Sequence, residues 1–78
     1  MGRYLLIGGS EETIKIYDIR KKVEIGLLEG HTGTITIIKS YDNFIFSGSE
    51  DRTIRVWKTK DWGLLQTLPL KAVPLKLN

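Results

Sequence analysis

Shifted by 40 residues, the chain lies on itself: Gly8 falls on Gly48, Glu11 on Asp51, Thr13-Ile14 on Thr53-Ile54, Ile16 on Val56, Tyr17 on Trp57 and Leu28 on Leu68. A period of that length means that one small supersecondary unit is built more than once, and that each copy must bury an apolar face against its neighbour. The copies differ in their polar residues. Ser47 and Asp51 of the second are Ile7 and Glu11 in the first, so the two cannot hold the same buried polar groups.

Within each copy the runs read as strands. Tyr4-Leu5-Leu6-Ile7-Gly8 is a short buried strand, followed by a turn at Gly9-Ser10-Glu11-Glu12. Thr13 to Tyr17 alternates Ile14 and Ile16 against Lys15 and Tyr17, the period of two that puts successive side chains on opposite faces. Asp18 to Lys22 reads as a charged turn and Val23 to Leu28 as an outer strand. Thr34-Ile35-Thr36-Ile37-Ile38-Lys39 has the β-branched density of an inner strand packed on both faces. Tyr41-Asp42-Asn43 then turns the chain into Phe44 to Ser47. A Gly/Ser/Asp cluster at Ser47 to Asp51 marks the next turn, before Thr53 to Lys58 and, past a loop with Trp62-Gly63, the outer strand Leu64 to Leu68. No window carries the 3.6-residue apolar period over a helical length. The expected fold class is all-β.

The chemistry concentrates between Gly30 and Lys58. His31 precedes Ser47 by 16 residues, Asp51 stands in the turn after Ser47, and Trp57 ends the strand that follows. In an antiparallel meander Asp51 can accept from one imidazole nitrogen of His31, the other nitrogen can meet the Ser47 hydroxyl, and that hydroxyl can meet the Trp57 indole. All four polar groups are then satisfied while buried, as buried polar groups must be. A hydrolytic triad of Ser47, His31 and Asp51 uses the same residue types. It is disfavoured because Trp57 takes up the hydroxyl, the group sits between strands, and no oxyanion-hole loop follows Ser47.

Gly30-His31 leading to Ser47, Asp51, Trp57 and Lys58 resembles the Gly-His…Trp-Asp unit of WD-repeat β-propellers, with Lys58 where the family's final Asp stands. The resemblance implies a complete four-stranded antiparallel blade over residues 30–68 (strands about 35–40, 44–47, 53–58 and 64–68). Before it comes a partial blade over 1–29 (strands about 4–8, 13–17 and 23–28), and after it, over 69–78, the start of a next blade or an extended arm. In the tail, Lys71 occupies the position due for His, and Pro74 removes an amide from any ladder. Such a chain is an incomplete propeller, expected to expose an apolar blade face and unpaired strand edges at each end. Three explanations fit it: part of a longer protein, an artificial unit that assembles copies into a ring, or a half-unit completed by a partner.

Inside that family the chain is similar to the PAK-interacting WD-repeat proteins. The residues that carry this are Glu12-Thr13-Ile14, Ile16-Tyr17-Asp18, Lys21-Lys22, Glu24, Gly26, Leu28, His31, Gly33-Thr34-Ile35-Thr36, Lys39, Tyr41, Asn43, Ser47-Gly48, Glu50-Asp51, Ile54, Trp57, Lys60, Trp62 and Leu65. The resemblance implies a nuclear and nucleolar scaffold in maturation of the large ribosomal subunit, with ribosome-assembly proteins and rRNA as partners. It also implies binding and restraint of a PAK-type kinase.

Composition narrows the classes further. With 78 residues and no cysteine, a disulfide scaffold, a cysteine zinc site and thiol chemistry are out. The longest apolar run is too short for a bilayer and Met1-Gly2-Arg3-Tyr4 has no signal-peptide core, so a soluble intracellular chain without membrane contact is expected. Gly8-Gly9-Ser10 is followed by neither Gly-Lys-Ser/Thr nor a helix, which argues against a nucleotide loop. No enzyme, metal or cofactor is expected. At a net charge of +3, Arg20-Lys21-Lys22 is the one three-residue basic run, a solvated loop or a phosphate contact. Trp62, in a loop beside Lys60 and Asp61, is the other candidate partner contact, since exposed aromatics dominate interfaces. Partners are then other blades of one propeller, or further copies of the chain, together with the proteins named above.

Overall fold

The computed structural model describes residues 3–8 and 12–75. The turn expected at Gly9-Ser10-Glu11, including Glu11 as counterpart of Asp51, and the tail residues 76–78 lie outside them. Seven strands follow in order: β1 (Tyr4–Ile7), β2 (Ile14–Asp18), β3 (Val23–Leu28), β4 (Ile35–Tyr41), β5 (Phe44–Ser49), β6 (Thr53–Lys58) and β7 (Leu64–Pro69). They form two antiparallel meanders, a three-stranded sheet β1-β2-β3 and a four-stranded sheet β4-β5-β6-β7. The fold is all-β, and no helix among the described residues is long and apolar enough to cross a membrane.

The period seen in the sequence is built into the backbone. In the first sheet the register slips between Ile16 and Tyr17, so that Ile25 faces no partner. In the second it slips between Val56 and Trp57, leaving Leu65 unmatched. Each bulge bends the outer strand at the same place in its unit. The turns into those outer strands also match: Lys22 (φ 56°) and Trp62 (φ 61°), 40 residues apart, both take the left-handed conformation.

The sheets meet through one apolar cluster. Ile14, Ile16 and Leu28 come from the first sheet and Ile35, Ile45 and Trp57 from the second, with Tyr4, Leu6, Ile38 and Trp62 packed around them. Burying a side chain of this size contributes about 1.5–3 kcal/mol, which is why the sheets associate face to face. At Gly8 the backbone approaches β4 so closely that an added Cβ would lie 2.9 Å from Ile35 Cγ2 and from Ile38 Cδ1. Gly48, its counterpart, is covered from outside its sheet by Pro74 Cγ at 2.7 Å, while its register partner Ile37 brings Cγ2 to 2.7 Å from within the sheet. Pro74 thus stands on the second sheet as Ile35 stands on the first.

Three expectations need correction. β4 is not packed on both faces: only Ile35 is buried, and Lys39, Ser40 and Tyr41 are exposed, because the first sheet covers it on one face alone, at Ile35 and Ile38. The cluster from Ser47 to Asp51 is not all turn, since β5 runs to Ser49 through the pairs Ile37↔Gly48 and Ile35↔Ser49. Asp18 is not a solvated turn residue. It is 2% exposed at the end of β2, where its Oδ1 accepts from the Arg20 amide at 3.0 Å and the Lys21 amide at 3.1 Å and its Oδ2 accepts from Arg3 Nε at 3.2 Å.

In the tail, residues 70–75 form no strand. The Leu70 amide still donates to Arg52 O at 2.8 Å, prolonging the β6–β7 pairing. Beyond it, Pro74 is buried and its carbonyl accepts from the Thr36 hydroxyl. Thr36 is free to do this because the β4–β5 register skips it.

Candidate functional site

His31 enters from the β3–β4 connection, Ser47 from β5, Asp51 from the β5–β6 turn and Trp57 from β6. Gly30 makes the first of these placements sterically possible. Its φ is 153°, and a Cβ there would lie 2.6 Å from Arg55 Nη1, so any other residue would push the Arg55 guanidinium off the loop. His31 Nδ1 then lies 2.9 Å from Asp51 Oδ2, and His31 Nε2 lies 2.7 Å from Ser47 Oγ. Trp57 Nε1 donates to Ser47 Oγ at 2.9 Å.

The proton count closes with a neutral imidazole. Trp57 N–H donates to Ser47 Oγ, Ser47 O–H donates to His31 Nε2, and His31 Nδ1–H donates to Asp51 Oδ2. Every donor has one acceptor in a chain that runs one way. Ser47 is 0% exposed, Trp57 3% and His31 5%, so these three are shielded from water, while Asp51 is half-buried at the outer end of the network.

The structure adds partners that sequence reasoning missed. Asp51 Oδ2 also accepts from the Thr32 amide at 3.0 Å, while Oδ1 takes the Thr53 amide at 2.9 Å and the Thr53 hydroxyl at 2.6 Å. Both carboxylate oxygens are therefore doubly occupied. Burial pushes the Asp51 carboxyl up, but the hydrogen bonds from Thr53, His31 and Thr32 outweigh it and hold it well below the usual carboxylate range. Ser49 Oγ accepts from the Asp51 amide at 3.0 Å and sets the turn. An Asp followed two residues later by Thr, the local turn in which a side chain caps its own backbone, was the available signal for Thr53. Thr32 had none, because its amide comes from 19 residues away.

Chemically the constellation is closed. The Ser47 hydroxyl is fully buried and engaged on both sides by His31 and Trp57, so it cannot approach a carbonyl as a nucleophile must. Among the described residues no three His, Cys, Asp or Glu side chains converge as metal ligands.

The other singled-out residues lie at the opposite end of the sheets. Arg20, Lys21 and Lys22 are exposed on the β2–β3 turn. Trp62 is not an exposed loop aromatic: it is half-buried and meets the Tyr4 ring edge-on, centroids 5.1 Å apart at 89°. The left-handed backbone at Trp62 turns its ring back toward the first sheet.

A four-stranded antiparallel sheet pinned by Asp, His, Ser and Trp defines a WD-repeat β-propeller blade, a scaffold class of fold. Residues 22–58 match the family model described as "WD domain, G-beta repeat", and the chain belongs to the WD-repeat family. It is 50% identical over 66 residues to the "p21-activated protein kinase-interacting protein 1-like" of Xenopus laevis, covering 83% of this chain and 18% of that protein. It is 35% identical over 83 residues to "Protein MAK11" of Saccharomyces cerevisiae, covering 85% of this chain and 20% of that protein. In fold it is similar to the "Crystal structure of RRP9 WD40 repeats", with a TM-score of 0.82 and 21% identity over 92% of this chain and 23% of that one. The chain thus spans about a fifth of the length of these relatives.

Proposed function

We propose that this chain is part of a non-enzymatic WD-repeat scaffold that assembles proteins, and pre-ribosomal ribonucleoprotein, during large ribosomal subunit biogenesis in the nucleolus. The observation that carries this reading is the 50% identity to the Xenopus laevis relative, over a stretch that includes loop residues as well as the blade's buried network. In this reading residues 1–29 belong to one blade, 30–68 to the next, and 69–78 open a third. The physical support is that the polar network spends its side chains inside the blade, with Ser47, His31 and Trp57 buried. It fixes the blade and leaves turns and edges to meet partners.

The test is co-sedimentation of the tagged protein with large-subunit precursors. Enrichment in precursor fractions is expected, and migration with free protein alone contradicts the reading. A second reading, binding and restraint of a PAK-type kinase, is favoured by the name that the Xenopus relative carries. It expects the purified protein to slow such a kinase in vitro, and an unchanged rate at saturating protein removes it.

A further inference from the structure

The two ends of the sheets differ in charge. Arg3 sits beside the β2–β3 turn, whose Ile19 amide donates to Arg3 O at 2.9 Å, and the β6–β7 turn lies along the β4–β5 turn through Thr59 N to Asn43 O at 3.0 Å. The Tyr4–Trp62 contact places these turns side by side. Arg3, Arg20, Lys21, Lys22, Lys58 and Lys60 therefore share one end. Of the carboxylates there, Asp18 is buried and bound to Arg3, Asp61 lies 3.6 Å from Lys58 and caps the Gly63 amide, and Asp42 and Glu24 are exposed, so cations outnumber carboxylates. Arg20, Lys21, Lys22 and Lys60 have no ion-pair partner among the described residues. The other end is closer to balanced, with Glu12, Glu29, Glu50 and Asp51 set against Arg52, Lys71 and the Arg55 guanidinium that lies over Gly30.

Tyr41 stands at the basic end, where β4 turns into β5, and is 76% exposed. The left-handed Asp42 (φ 57°) closes that hairpin beneath it. We propose that this end binds single-stranded RNA, Tyr41 stacking on a base while Arg20, Lys21, Lys22 and Lys60 take phosphates. An open aromatic ring amid dispersed cations is the combination that single-stranded nucleic acid uses, whereas an acidic polypeptide would engage the cations without needing the ring. The cleft of about 400 Å³ lined by Asn43, Phe44, Lys58, Thr59 and Lys60 lies at the same end. Phe44 is the counterpart of Tyr4, over which Trp62 packs, so that cleft belongs to sheet packing and not to RNA. The inference deepens the ribosome-assembly reading, and rests on it only for which RNA is bound.

The test measures binding of the full chain to labelled oligouridylate across a salt series. Affinity should fall with salt by a log–log slope of about 0.7 per phosphate engaged. Arg20→Ser with Lys21→Ser and Lys22→Asn, the last chosen because Asn tolerates left-handed backbone, should weaken binding about tenfold or more and flatten the slope. Tyr41→Ala should cost about tenfold with the slope unchanged, and Tyr41→Trp should restore it. Lys15→Ser with Lys71→Ser, away from this end, should change little, and an unchanged thermal midpoint identifies the folded variants. The proposal is overturned if the turn variant binds like the parent, if the Lys15/Lys71 pair weakens binding equally, if Tyr41→Ala has no effect, or if polyglutamate competes as well as RNA. RNA binding through this end without co-sedimentation would sink the assembly reading alone; co-sedimentation without RNA binding would sink this one alone.

Discussion

Trp62, in the turn between β6 and β7, packs its ring edge-on against Tyr4 at the start of β1, and this pair ties the turn of one sheet to the first strand of the other. The Arg3 guanidinium lies 5.5 Å from the Tyr4 ring centroid and also bonds Asp18. A line of contacts thus joins the two outer turns, Asp18 to Arg3 to Tyr4 to Trp62.

Cutting that line should loosen the sheets without dissolving either. In a double-mutant cycle, Tyr4→Ala and Trp62→Ala are expected to couple by about 0.5–1.5 kcal/mol beyond their separate losses of burial. Urea midpoints of the two single variants and the double variant check this. Simple additivity would mean that the rings stabilise independently.

Removing the imidazole should cost more. His31→Ala strands the buried Ser47 hydroxyl, at about 1–3 kcal/mol, and takes one of four hydrogen bonds from Asp51, at about 1 kcal/mol, so the expected loss is about 2–4 kcal/mol. Trp57→Phe keeps most of the ring packing and removes one donor, so it should cost about 1–2 kcal/mol. If the two variants unfold at the same urea concentration, the network is not the source of the difference.

Acid should weaken the fold through Asp51. Its carboxyl is held below the usual range in the folded chain and titrates near 3.9 when unfolded, so on acidification the unfolded chain takes up the proton first. The stabilisation is complete at neutral pH and is lost progressively below about pH 5. Asp18, whose carboxyl is lowered first by the Lys21 amide, and Asp61, lowered first by the Gly63 amide, act in the same direction. Asp51→Asn should therefore reduce the slope of stability against pH between 7 and 3 without abolishing it. A parent protein that gains stability on acidification would contradict the assignment.

A single methyl group tests the seat of Pro74. Gly48→Ala places a carbon 2.7 Å from both Ile37 and Pro74, and such overpacking typically costs about 1–3 kcal/mol. Gly26→Ala is the control, because the nearest atom to its new carbon is Ile16 Cδ1 at 3.9 Å. Chemical denaturation should separate the two variants, and equal midpoints would show that residues 70–75 yield without cost.

Much of the architecture was legible before any coordinates. Strand positions, turn positions and the 40-residue period follow from side-chain alternation and turn chemistry, which act over a few residues. The meeting of His31, Ser47, Asp51 and Trp57 was also within reach, because once a meander is assumed their spacings leave few other arrangements. Less accessible were the burial of Asp18, the half-exposure of β4 and the role of Trp62. Asp18 reads as one charge in a charged turn until Arg3 and two backbone amides are seen to surround it.

By itself, the amino-acid order determined the all-β class, the repeated unit and the polar residues that pin the complete blade. Tertiary structure alone decided which glycines the neighbouring sheet covers, that Trp62 turns inward to Tyr4 while Tyr41 stays in water, and that the basic turns gather at one end. Local patterning says which face of a strand is apolar, but what covers that face comes from residues tens of positions away, and only the packing of one sheet on the next brings them into contact.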